Sequence, residues 1–268
     1  MDFVVVKLGG SCITYKDKPF TINEDSLRTI SSALHDAGMN YFIVHGGGSW
    51  GHTAAIMYGL SSFSYSRHAK GVAYTKLKMQ VLSSAVQKFL IDSGVHTFYF
   101  PAQVLDERIK RELEEISATG VYPLTYGDVI YEAGKGFRVI GGDEIIMKLS
   151  GFINVVRVVF IMATSGIMDE NGRVIERISL RESTGSTYIG DVPIIMGNYS
   201  VPFSDVLRKM DSSSPDATGG IAYKLYVSLQ LARRGIPAIF VGASDKENII
   251  KALNGSNFTG SIVMPDVY

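Results

Sequence analysis

The chain has 268 residues, enough for one large α/β domain or two small ones around a substantial core. Lys plus Arg and Asp plus Glu number 26 each, so the summed charge provides no general attraction to nucleic acid or to an anionic membrane, and any phosphate site must be local. A hydrophobic content of 46% excludes a disordered chain, and the single cysteine, Cys12, excludes an intramolecular disulfide and a cysteine-built zinc site, which points to a reducing compartment.

In chain order, the first apolar run is Phe3–Leu8, a buried strand by composition. Asp2 and the brevity of this run are unlike a signal peptide, and the longest later run, Val158–Ala163, is far below the ~20 residues needed to span a bilayer, so a cytoplasmic protein is expected. The strand ends in Lys7-Leu8-Gly9-Gly10-Ser11, a lysine followed by glycines that let backbone amides approach an anion. Cys12, next to it, reads as a small packing residue rather than a nucleophile. Helical spacing covers Glu24–Ala37, and Tyr41–Val44 is the second strand. It runs into His45-Gly46-Gly47-Gly48-Ser49-Trp50-Gly51-His52 and a helical stretch; consecutive glycines before a helix start make an amide-lined cradle at the positive end of a helix dipole.

The helical stretch Gly71–Ile91 places Tyr74, Leu77, Lys78 and Val81 along roughly one face, where Tyr74 and Leu77 are candidates to bound a substrate. Lys70, Lys76 and Lys78 with Arg67 read as a solvated basic face. A strand at Val95–Phe100 and a helix at Gln103–Ser117 follow. Next comes Gly141-Gly142-Asp143-Glu144, whose Asp143 could cap the helix Glu144–Phe152, and then the strand Val155–Ala163. Ser183–Ser214 is irregular and suits a hairpin or lid as well as an ordinary surface excursion. Asp216-Ala217-Thr218-Gly219-Gly220-Ile221-Ala222-Tyr223-Lys224 leads into the helix Gly219–Arg234, with Lys224 about one turn inside, before strands at Ile236–Val241 and Ser261–Met264. Strands alternating with helices imply an open, mainly parallel sheet with helices on both faces, a three-layer αβα sandwich with its ligands beyond the carboxyl ends of the strands. Neither glycine loop has the spacing of a P-loop or of a Rossmann fingerprint.

Together, K-L-G-G-S, H-G-G-G-S-W-G-H, G-G-D and D-A-T-G-G-x-x-x-K resemble the amino acid kinase superfamily over almost the whole chain, and the loop ending in Gly51-His52 with Lys16 close behind the first motif is similar to the archaeal-type isopentenyl phosphate kinases. The resemblance implies the amino acid kinase fold, ATP-dependent phosphorylation of isopentenyl phosphate to the diphosphate with Mg²⁺, a small-molecule substrate, and a homodimer. It implies one domain over 1–268, with an acceptor-binding half near 1–150 and a nucleotide-binding half near 151–268.

Residue by residue, the resemblance puts Lys7, Lys16 and Lys224 on the transferring phosphates, has Asp143 hold the lysines, and sets His52 on the acceptor's phosphate. Amides of Gly9, Gly10, Gly46 and Gly47 would meet phosphate oxygens. Ser11, Thr164, Gly166, Gly219 and Lys224 would fall on the nucleotide side, and Gly46, Gly47, Gly48, Gly51 and Gly142 on the acceptor side. No protein-held metal is expected. Where relatives read T-D-V-D-G, this chain has Met162-Ala163-Thr164-Ser165-Gly166, lacking both acids, and Gly141 stands at a position that is often serine. A kinase for fosfomycin or another small phosphate or phosphonate, and a catalytically weakened nucleotide-binding regulator, are the alternatives.

Overall fold

The computed structural model describes residues 1–61, 64–169, 171–180, 193–196, 199–202 and 220–265. Twelve strands fall within them: β1 Asp2–Leu8, β2 Tyr41–His45, β3 Thr97–Tyr99, β4 Tyr122–Tyr126, β5 Asp128–Glu132, β6 Gly136–Ile140, β7 Asn154–Met162, β8 Arg177–Leu180, β9 Pro193–Met196, β10 Tyr199–Pro202, β11 Ala238–Gly242 and β12 Ser261–Pro265. The α-helices among the described residues are α1 Gly10–Ile13, α2 Glu24–Ala37, α3 Gly48–Met57, α4 Ala69–Asp92, α5 Lys110–Ala118, α6 Gly142–Leu149, α7 Gly220–Arg233 and α8 Lys246–Asn254. Ten strands form one sheet in the order β10-β9-β8-β12-β11-β7-β1-β2-β4-β3, while β5 and β6 pair as a separate hairpin. From β11 across to β3 every neighbour is parallel, so β1, β2, β4, β7 and β11 all deliver their carboxyl ends to one edge.

β1 sits near the middle of this sheet and is covered on both faces, which is why its sequence is a continuous apolar run rather than an alternation. The period of two still sorts its side chains. Phe3 and Val5 join the core with Ile145, Ile146 and Leu149 of α6 and Leu225 and Leu229 of α7. Val4, Val6 and Leu8 join the opposite core with Leu27, Ile30 and Leu34 of α2, Leu82 and Val86 of α4, and Leu253 of α8. Each such side chain contributes about 1.5–3 kcal/mol on burial. Lys7 therefore falls on the α6/α7 face, one residue before the strand ends.

Helix boundaries follow local chemistry. Asn23 and Asp245 accept the amides of Ser26 and Asn248 at the starts of α2 and α8, and both helices end on left-handed glycines, Gly38 and Gly255. The expected helix at Gln103–Ser117 is shorter: two 3₁₀ turns precede α5 at Lys110. Within Ser183–Ser214, β9 and β10 pair antiparallel at the edge of the sheet, and the rest of that stretch lies outside the described residues. Asp216 and Gly219 lie outside them as well. No helix among the described residues is long and apolar enough to cross a membrane.

Because β1 and β2 are parallel neighbours, the two glycine loops leave the sheet side by side and their backbones touch. A Cβ on Gly10 would enter the space of the Gly48 amide nitrogen, and one on Gly46 would stand 2.7 Å from the Gly10 nitrogen. Gly48 also has φ +47°, a conformation that side chains resist. Thr14 fastens the pair: its Oγ1 donates to the Gly10 carbonyl at 2.8 Å and accepts the Ser49 amide at 2.9 Å. We expect Gly10→Ala to force the loops apart and destabilise the fold by about 1–3 kcal/mol, as overpacking does. Thermal unfolding checks this, and an unchanged melting temperature would contradict the backbone contact.

Candidate active site

At the carboxyl edge, three charged side chains meet on the α6/α7 face of the sheet. Lys7 Nζ donates to Asp143 Oδ1 at 2.5 Å, and Lys224 Nζ donates to both Asp143 oxygens at 3.1 Å. The side chains of Lys7 and Asp143 are each 7% exposed and that of Lys224 14%, so these are buried charges. Asp143 is the second residue of α6, where the helix dipole also favours a carboxylate; Gly141 takes the N-cap position, so Asp143 serves the lysines and not the helix end. Gly142 is small because Lys7 passes over it: a Cβ there would lie 3.0 Å from Lys7 Cε and 3.2 Å from Val44. Lys224 reaches in from the first turns of α7 with its ammonium 5.1 Å from the centre of the Phe160 ring, a cation–π contact.

Two ammonium groups share one carboxylate, so the cluster has one positive charge in excess. Burial pushes Lys7 down to about 8, with Asp143 opposing and Lys224 adding to the shift. Burial would raise Asp143, but Lys224 and Lys7 overcome it and hold the carboxyl at about 2. The cluster stays ionised at neutral pH, with a cation ready for an anionic ligand. His45, at the end of β2 on the opposite face, is pushed down to about 4 by burial and is neutral; its Nδ1 lies 3.1 Å from the Gly46 carbonyl. Cys12 is buried with its thiol donating to the carbonyls of Gly9 and Ile161, and burial pushes its pKa up to about 12, which leaves it no nucleophilic character.

The glycine loops supply the complementary donors, one residue later than expected. The Gly9 amide is used on the Ile161 carbonyl and the Gly46 amide on the Leu8 carbonyl, both at 2.9 Å. The amides of Gly10, Ser11, Gly47 and Gly48 have no acceptor among the described residues. They lie at the starts of α1 and α3, so backbone dipoles add to the attraction for phosphate. His52 is half-buried one turn into α3, and Gly51 before it lets α4 close in, since a Cβ there would lie 2.6 Å from the Met79 sulfur. Ala55, on the same side of α3 as His52, belongs to a small apolar cluster with Leu60, Val72, Val129 and Val139.

The other expected residues come from other segments. Lys16 is exposed in the loop between α1 and α2 and pairs with no carboxylate among the described residues. Thr164 and Gly166 follow β7: Thr164 donates to the Gly166 carbonyl at 3.0 Å, and Gly166 leaves no room for a side chain beside the Ser261 hydroxyl. Tyr74 is half-buried against Tyr58, whereas Leu77 is 54% exposed, because the buried stripe of α4 runs through Val72, Thr75, Met79, Leu82 and Val86. The basic stretch is not a merely solvated face: Lys76 binds buried Asp128 at 2.5 Å and Lys78 lies among aromatic rings. Nothing in the sequence signalled Thr14, whose role follows only from the two loops being adjacent.

The sequence pattern of the amino acid kinase family matches residues 2–242. The chain belongs to that family. Among curated relatives, the isopentenyl phosphate kinase of Haloferax volcanii is 33% identical, covering 90% of this chain and 92% of its own, and that of Methanothermobacter thermautotrophicus is 28% identical over 96% and 97%. A solved isopentenyl phosphate kinase structure superposes with a TM-score of 0.72 at 23% identity, covering 97% of this chain and 99% of the other. A substrate complex of isopentenyl phosphate kinase does so at 0.68 and 20%. The amino acid kinase fold expected from the sequence is thus the one observed.

Asp143→Asn in this amino acid kinase would leave two buried ammonium groups without their counter-ion and cost about 3–5 kcal/mol at neutral pH. The sign with pH follows from the lowered carboxyl. Asp143 contributes stability above its unfolded value of 3.8 and loses it as pH falls through about 2. Unfolding free energies measured from pH 7 to pH 2 should therefore converge for the wild type and the variant in acid; parallel curves would contradict this.

Proposed function

We infer that the protein transfers the γ-phosphoryl group of ATP to the phosphate of isopentenyl phosphate, giving isopentenyl diphosphate. The observation that carries this is the pairing of two free-amide loops, one after β1 and one after β2, beside a buried cluster with one excess positive charge. Two anions must meet there, and the fold offers a cradle for each. The curated relatives share that activity by name.

Phosphoryl transfer asks a protein mostly for positioning and charge stabilisation. In this reading the Gly10 and Ser11 amides hold the nucleotide's terminal phosphates. Gly47, Gly48 and the His52 imidazole hold the acceptor phosphate in line. Lys7 and Lys224, oriented by Asp143, stabilise charge on the group in flight, with Lys16 above them. An acceptor phosphate with a second pKa near ~6 is already ionised at neutral pH, so no strong base is required. The cluster of Ala55, Leu60, Val72, Val129 and Val139 past His52 suits a short apolar tail, with Tyr74 at its margin.

Among the described residues no three His, Cys, Asp or Glu side chains gather to hold a metal, and Asp143 is already shared by two ammonium groups. Mg²⁺ would therefore travel on the ATP phosphates, where it neutralises charge. The nucleotide would lie toward 151–268, with Thr164, Gly166 and Gly219 on its side, and the acceptor toward 1–150. A homodimer in the cytoplasm belongs to the same proposal.

Purified protein, Mg²⁺-ATP and isopentenyl phosphate followed by ³¹P NMR should yield a diphosphate faster than dimethylallyl phosphate, fosfomycin or UMP does in parallel. Removing the donor with His52→Ala should lower kcat roughly 100-fold, the scale for a transition-state hydrogen-bond donor. His52→Gln, which keeps an N–H, should lose less. Faster transfer to another acceptor would overturn the substrate, and wild-type rates in both variants would remove His52 from the site.

A further inference from the structure

Among the described residues, the loop that carries Lys16 is closed at its base and makes its ring contacts with other elements through one side chain, Phe20. Thr14 and Ile22 form an antiparallel bridge, the Tyr15 amide donates to the Thr21 carbonyl at 3.1 Å, and the Asn23 amide donates to the Ile13 carbonyl at 2.9 Å. Between these ties Lys16, Asp17 and Lys18 are exposed, and the ring contact of Lys18 with Tyr15 stays within the loop. Phe20 is different. Its φ is +54°, and among the described residues it is the non-glycine residue with positive φ. A bulky side chain persists in that conformation only where its surroundings hold it there.

What holds it is a cluster from two further helices. The Phe20 ring stands edge-on to Trp50 of α3, with centroids 5.6 Å apart and planes at 81°. The ammonium of Lys78 on α4 lies 4.3 Å from the centre of the Phe20 ring, 5.2 Å from that of Tyr74 and 5.9 Å from that of Trp50. Edge-to-face rings and a cation over an aromatic face are both attractive geometries. Trp50 is two residues before His52, so the same cluster touches the helix that presents the acceptor-side donor.

We propose that Phe20 is a positioning residue: packed on Trp50 and Lys78, it latches the Lys16 loop to α3 and α4 so that Lys16 faces the transferring phosphates. This rests on the role given to Lys16 under the function above. The backbone strain at Phe20 is the cost of aiming its ring inward while the loop tip stays outward. Lys78→Met, which keeps the stem and removes the charge, should loosen the latch less than loss of the ring does.

Trp50 is the chain's one tryptophan, so its emission reports the latch without reference to activity. In Phe20→Ala we expect red-shifted emission and stronger acrylamide quenching, with kcat down about tenfold and KM for ATP little changed, as a displaced catalytic group produces. Phe20→Tyr, which keeps the ring, should restore both, and Phe20→Leu serves if the alanine variant fails to fold. In a Lys16→Met background Phe20→Ala should cause no further loss of kcat, since both changes remove one contribution. Altered Trp50 emission with wild-type kcat, or losses from Lys16→Met and Phe20→Ala that multiply, would overturn the latch. Wild-type turnover of isopentenyl phosphate and the Lys16→Met rate are measured first: failure of either overturns the functional reading itself, separately from the latch.

Discussion

The site depends on one buried carboxylate shared by two lysines. A charge removed from water is tolerated only when it is paired, and a pair in which either partner is lost leaves the other uncompensated. Asp143 meets this constraint twice, and in doing so fixes the relative placement of β1, α6 and α7, the three elements that deliver Lys7, Asp143 and Lys224. β1 is covered on its other face as well, by apolar side chains of α2, α4 and α8. With the strand buried from Phe3 onward, Lys7, one residue before its end, reaches the cluster as an ammonium group that burial has already pushed down to about 8. The excess charge is what an anionic ligand would neutralise.

Around that cluster the backbone does the remaining work. Parallel pairing of β1 with β2 places two loops in contact, and glycine is required where one backbone meets the other. The amides that the sheet does not use, at Gly10, Ser11, Gly47 and Gly48, are therefore grouped at the starts of two helices. Fixed donors and cations of this kind stabilise developing charge without reorganising, which suits a reaction that needs little covalent participation from the protein.

Much of this was legible in the sequence, for identifiable reasons. Strands buried on both faces announce themselves as apolar runs, so β1, β2, β7, β11 and β12 were expected within a residue or two of their observed ends. β4 was not, because Pro123 interrupts its apolar pattern, and neither was the β5–β6 hairpin, whose segments Asp128–Glu132 and Gly136–Ile140 form no long apolar run and no strict alternation. Lys7, Asp143 and Lys224 were singled out by their neighbours in the chain, and the fold brings them together. Which amide in each glycine loop is free could not be read from the chain, because it is decided by pairing across the sheet: the Gly9 amide is consumed by Ile161, 152 residues away in sequence. Helical spacing alone did not say which face of α4 is buried, so exposed Leu77 and Val81 share the expected face with half-buried Tyr74, while the buried stripe runs through Val72, Thr75, Met79 and Leu82. Phe20 gave no signal because its role arises from a cluster assembled by three separate segments.

Burial beside a shared carboxylate leaves Lys7 protonated but poised near neutrality. Protein labelled with ¹³C at lysine Cε, titrated by NMR and assigned with Lys7→Arg, reads this directly. One lysine resonance should titrate near pH 8 against the ordinary 10.5, and should move to higher pH when isopentenyl diphosphate is bound, because the added anion favours the charged form. A Lys7 resonance that titrates with the surface lysines near 10.5, and does not respond to the diphosphate, would contradict the account.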